Sequence, residues 1–184
     1  MGIPTLIKTL TADGDTSLSF VDGASDVTLD STYDEYMFVC TDINPASDGV
    51  IFQWQCNAAA ASGYNETITS TFFYALHAED NSAASLDYHA THDQAQGTGY
   101  QSLAFDVGNA ADESAAGILH LFSPSSTTYV KHFYSTFDSN QNLDYQYGPA
   151  MAAGYINTTT AIDDIQFKMS SGNMDAVIKM YGVK

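Results

Sequence analysis

"EYMFVCTDINPASDGVIFQWQC", from Glu35 to Cys56, holds the pattern on which the fold reading turns. Its opening stretch, Glu35 to Ile43, is aromatic and β-branched, as a strand facing a core should be. Its closing stretch, Gly49 to Cys56, puts Phe52, Trp54 and Cys56 on one side and Gln53 and Gln55 on the other. That is the two-residue period of a strand with one buried face. "NPASDG" between them carries the Pro, Asp and Gly of a turn. Two strands around one loop predict a β-hairpin. Cys40 and Cys56 would not be directly opposite in it, so a bridge between them would be strained. With two cysteines and no CxxC, both are expected as buried free thiols.

The same alternation spreads outward in both directions. "TSLSFV" sets Leu18 and Phe20 against Ser17 and Ser19. "TITSTFFYALH" (Thr67 to His77) becomes wholly apolar, as a central buried strand does. "GYQSLAF", "GILHLF", "TYVKHFYSTF" and "AAGYIN" read likewise; in "GILHLF" Ile118 and His120 share one face, Leu119 and Leu121 the other. Between them lie Asp-, Asn-, Ser- and Gly-rich segments, with room for at most one short helix around Asn109 to Ala116. Eight to ten short strands at this spacing predict an all-β fold, an antiparallel β-sandwich of jelly-roll type. A length of 184 residues suits a single domain over 1–184. Residues 1–12, "MGIPTLIKTLTA", are either its first strand or an extended N-terminal arm that adds to a neighbour's sheet.

The chain closes on a second expected hairpin. "IDDIQFKM" places Ile165, Phe167 and Met169 inward, with Gln166 and Lys168 outward. "SSGN" turns it, with Gly172 at a positive φ. "AVIKMYGV" returns with Ile178 and Met180 inward, and Val177, Lys179 and Tyr181 outward. Lys168 and Lys179 would then lie on the polar faces of neighbouring strands. There they relieve local acidity and guard an edge, or form a mildly basic docking spot.

Charge excludes whole classes of partner. The net charge is −17, from 22 acids against five basic residues. Such a chain cannot neutralise phosphates, so neither nucleic acid nor an anionic membrane is an expected partner. No apolar run approaches the ~20 residues that span a bilayer, and the N-terminus lacks a basic and apolar leader, which predicts a protein made in the cytoplasm. Loops such as "ADGDT" (Ala12 to Thr16) suit calcium chemically but lack the alternation and closing Glu of an EF-hand loop, so no cofactor is predicted.

Catalytic constellations are missing as well. "YHATHD" brings His89, His92 and Asp93 close in sequence, without zinc-protease spacing, and reads as surface histidines in an acidic neighbourhood. No GxSxG elbow, phosphate loop or dinucleotide fingerprint occurs, and arginine is absent. The predicted protein is not an enzyme. Its tyrosines suit cores and interfaces.

Four stretches carry a resemblance. "STYDEYMFVCTDINPASD" (Ser31 to Asp48), "SGYNETITSTFF" (Ser62 to Phe73), "LHLFSPSSTTYVKHF" (Leu119 to Phe133) and "AGYINTTTAIDDIQFKMSSGNMDAVIKMYGV" (Ala153 to Val183) resemble a family of virion structural proteins of tailed bacteriophages, particularly those of marine cyanobacteria. The Ser-Gly-Asn turn followed by "IKMYGV" is the most specific element; Cys40 departs, standing where the family has an aromatic or aliphatic residue. The resemblance implies a jelly-roll-like module on the outside of a virion and brings no catalytic residues. The function it suggests is a capsid decoration or cement protein on the head, a homotrimer bound to the major capsid protein. The alternatives are a carbohydrate- or receptor-binding module of a tail or head fibre, or a tail or neck component. Candidate contact residues are Ile3, Leu6 and Ile7 at the N-terminus and Lys168, Lys179 and Tyr181 at the C-terminus.

Overall fold

A computed structural model describes residues 2–141 and 145–184. Thirteen strands, numbered in chain order, form two sheets, and no helix occurs among the described residues. The larger sheet runs β1 (Thr5–Asp15), β13 (Met174–Val183), β3 (Glu35–Pro45), β9 (Ala115–Phe122), β10 (Lys131–Gln141), β11 (Tyr145–Ile156), β5 (Ile68–Ala78) and β6 (Ala84–Tyr88). A short β7 (Ala95–Gly97) pairs the start of β5. The smaller sheet runs β2 (Leu18–Val21), β12 (Ile162–Met169), β4 (Val50–Ala58) and β8 (Gln101–Val107). Neighbours are antiparallel throughout.

The pairings β1·β13, β2·β12, β3·β9 and β4·β8 trace one long antiparallel ribbon. Folding that ribbon over itself adds β3·β13 and β4·β12, an order consistent with a jelly roll. Two insertions, β5–β7 and β10–β11, then widen one sheet only.

Both expected hairpins are corrected by this topology. β3 and β4 lie in opposite sheets, and so do β12 and β13. Their connecting loops cross the edge of the sandwich side by side. Ala46 N donates to Asn173 O at 2.9 Å and Ser170 N to Ile51 O at 2.8 Å. Gly172 has its positive φ of 75°, and a Cβ there would press on Ser47. The physical reason is that alternation names the residues facing a core, and a strand faces that core equally well from either sheet. Only the tightest two-residue turns force the flanking strands to pair.

Inward positions of both sheets meet in an aromatic layer. Phe38 of β3 lies 5.3 Å from Phe20 of β2 and 5.4 Å from Phe167 of β12, while Phe167 stacks on Phe52 of β4 at 5.9 Å. Trp54 meets Phe133 edge-on at 5.1 Å. Cys40 and Cys56 are buried, free and in opposite sheets; burial pushes both thiols well up. Tyr36, fully buried, braces the loop before β3: its hydroxyl donates to Asp30 O at 2.9 Å and accepts from Asp30 N at 3.0 Å. Burial pushes this phenol up to about 12.

Candidate interaction surface

Directly opposed residues of paired strands share a face of the sheet. Following the register across the larger sheet gives one outward row: Leu6, Tyr181, Met37, His120, Tyr134, Ala153, Thr71. The next row reads Thr9, Lys179, Val39, Ile118, Thr136, Met151, Phe73, Tyr88. Neither row contains a carboxylate, although the chain has 22 acids. Eight strands at about 4.8 Å spacing make this band roughly 33 Å wide. Lys179 lies within it, and Glu35, hydrogen-bonded to His120, and Asp138 stand at its two borders.

Aromatic stacking occupies the middle of the band. The His120 ring lies flat on Tyr134, with centroids 4.4 Å apart and planes 13° apart. Phe122 extends the stack at 5.8 Å from Tyr134. Beyond it a cavity of about 310 Å³ is lined by Phe122, Ser123, Tyr129, Val130 and His132. Of the large apolar side chains left exposed, Leu6, Phe73, Leu86, Tyr88 and Tyr134 belong to this face. Leu6 lies at one end of the sheet, Tyr134 in its middle and Phe73, Leu86 and Tyr88 at the other end.

Three of the sequence candidates come together here. Leu6 and Tyr181 are register partners, and Lys179 lies two residues along. Ile3, 89% exposed, precedes β1 just beyond them, where Gly2 N donates to Lys184 O. Ile7 turns inward and packs on the core at a register shift in β1. Lys168 is on the other side of the sandwich, its Nζ 5.1 Å above the Tyr100 ring. The single basic spot expected from Lys168 and Lys179 therefore does not form: the corner crossing sends them to opposite outer faces.

Sequence reasoning missed Met37, Val39 and Phe122 as surface residues. A signal was present, since "EYMFVC" is apolar at both parities of the strand, which a one-faced strand need not be. The histidine reading needs correction too. His92 is half-buried against Phe72 and Phe105, at 5.3 and 5.2 Å, with Nδ1 3.0 Å from Ser102 Oγ. Burial, aided by neighbouring His89, pushes it down to about 4. Among the described residues no group of three or more His, Cys, Asp or Glu is placed to hold a metal ion. In the "ADGDT" segment Gly14 N donates to Asp175 Oδ1 at 2.8 Å.

What this arrangement offers chemically is area: aliphatic and aromatic surface, weakly hydrated and free of like charge. No protein-family model, curated protein or solved structure matches the chain.

Proposed function

We propose that this chain is a non-enzymatic structural subunit of a virion, a decoration protein on the outer surface of a tailed-phage head. In this reading it is made in the host cytoplasm and sits as a homotrimer on the major capsid protein. The observation that carries the proposal is the carboxylate-free band across the larger sheet of so acidic a chain. The acids stand on loops and on strand positions outside this band, and a broad apolar face is kept for contact. Many such contacts, repeated over a shell, add by avidity even where each is weak. The four family-like stretches of sequence point the same way.

A carbohydrate- or receptor-binding module is the second reading, favoured by the cavity beside Phe122, Tyr129 and His132. The lone tryptophan, Trp54, is fully buried and offers no stacking platform for a sugar. Gold-labelled antibody raised against the protein, applied to intact particles and viewed by electron microscopy, separates the readings. Dense label over the head is expected. Label confined to tails or sparse fibres overturns the decoration reading and makes glycan screening the next step.

A further inference from the structure

The larger sheet ends in two open edges, one with a lysine-bearing half and the other acidic. At one end β1 pairs only with β13, leaving its outer backbone N–H and C=O groups without strand partners. Residues 2–12 there contain no acid, and Lys8 on β1, Lys179 on β13 and Lys184 just after β13, three of the five basic residues, gather at that half of the edge; Asp13, Asp15 and Asp175 stand at its other half. At the other end β6 pairs only with β5. Glu79 and Asp80 in its entry turn, Asp87 within it and Asp93 after it make that edge acidic, and residues 79–93 contain no lysine.

Both edges also expose apolar side chains. Ile3 and Leu6 stand at the basic edge, 89% and 52% exposed; Leu86 and Tyr88 stand at the acidic edge, 74% and 58% exposed. A long, flat, apolar edge is a template for strand addition that proteins ordinarily blunt, and a lysine is one common device. Here an acidic edge on the same molecule can accept that lysine. Two copies carrying −17 each repel over most of their surfaces, so contact between them is favoured where opposite charges meet.

We infer that a second copy of this chain docks its β6 edge, around Leu86 and Asp87, against the β1 edge, around Leu6 and Lys8, of the first. The contact is head-to-tail: the surfaces joined are different, so each copy keeps one free edge for the next. Repeated about an axis, such a contact closes a ring. β1 of one copy continues the sheet of its neighbour, and the acid-free band becomes continuous from subunit to subunit. The inference deepens the oligomer part of the decoration reading but needs no virion for its test.

The purified full chain is examined first by light scattering coupled to size exclusion. A mass of about three chains, the ring size proposed above, is expected; a monomer at roughly 100 μM overturns the inference. Leu86→Lys, at an exposed position, should raise the concentration of half-assembly tenfold or more and leave the melting temperature unchanged at dilutions where both proteins are monomeric. Unchanged assembly overturns the inference. Cysteine pairs then distinguish the geometry, because Cys40 and Cys56 are buried. Leu6→Cys and Leu86→Cys in one chain should give a ladder of crosslinked species on oxidation, and either alone should not. Crosslinked dimer from Leu6→Cys alone means two-fold β1 pairing and overturns it. Correct assembly by these edges, in a protein whose antibody never labels heads, would leave the inference standing and remove the decoration reading.

Discussion

Phe38 and Phe167 test the sandwich at its centre. Phe38 is on β3 of the larger sheet and Phe167 on β12 of the smaller one, and both are fully buried with ring centroids 5.4 Å apart. Phe167 also meets Phe20 at 6.3 Å and Phe52 at 5.9 Å, so it is the hub of four rings. Truncation to alanine removes about 3–5 kcal/mol, the transfer free energy of the ring plus the cavity it leaves. For a domain of this size that lowers Tm by roughly 6–20 °C. Leucine retains much of the volume and loses mainly the ring–ring geometry, so the pair can be interrogated in a chain that still folds. The double-mutant cycle of Phe38→Leu and Phe167→Leu, read by urea or thermal unfolding, should give a coupling of about 0.5–1.5 kcal/mol. Additivity within about 0.3 kcal/mol would refute the placement of β3 over β12. Such a result would mean that the two strands do not face each other across the core.

Three further outcomes follow from burial and hydrogen bonding. His92 is held low at about 4 by burial, so the unfolded chain binds its proton first as pH falls. Its contribution is complete above roughly pH 6.5 and is lost between there and pH 4. Allowing for its partial exposure, the loss is on the order of 1–2 kcal/mol; His92→Gln should flatten this part of the pH–stability curve, and an unchanged slope would contradict the assignment. Tyr36→Phe removes both hydrogen bonds to Asp30 and should cost about 1–3 kcal/mol in denaturant unfolding, because Asp30 N loses its hydroxyl acceptor. A thiol reagent should find neither Cys40 nor Cys56 in the native protein and both after unfolding, since burial removes access and disfavours the thiolate. Rapid native labelling would show that the core opens.

Much of the fold was legible because strand alternation is a local property. Leu18, Phe20, Phe52, Trp54, Ile165, Phe167, Ile178 and Met180 all face inward as their two-residue spacing requires. The aliphatic half of "GILHLF" resolves the same way, with Leu119 and Leu121 buried and Ile118 and His120 on the outer face. β6 was illegible: its five residues are all exposed, so no burial imprinted a pattern on "ASLDY". The candidate surface was half legible. Leu6, Lys179 and Tyr181 were singled out as outward or terminal residues, but their neighbours Met37 and Tyr134 come from strands far away in sequence.

By itself the sequence determined the class of structure and the direction of its side chains. A chain with alternating aromatic and β-branched segments must bury one face of each such strand, and in those strands the requirement is written residue by residue. Only the tertiary structure decided which sheet each strand joined. The loops at 46–49 and 170–173 each carry the chain across the sandwich, a choice made by the packing of Phe20, Phe38, Phe52 and Phe167 between layers. That choice separated Lys168 from Lys179, brought Leu6 beside Tyr181, and placed the lysine-bearing half of the β1 edge and the acidic β6 edge at opposite ends of one sheet. Pairing between distant strands depends on long-range contacts, and no local pattern specifies them.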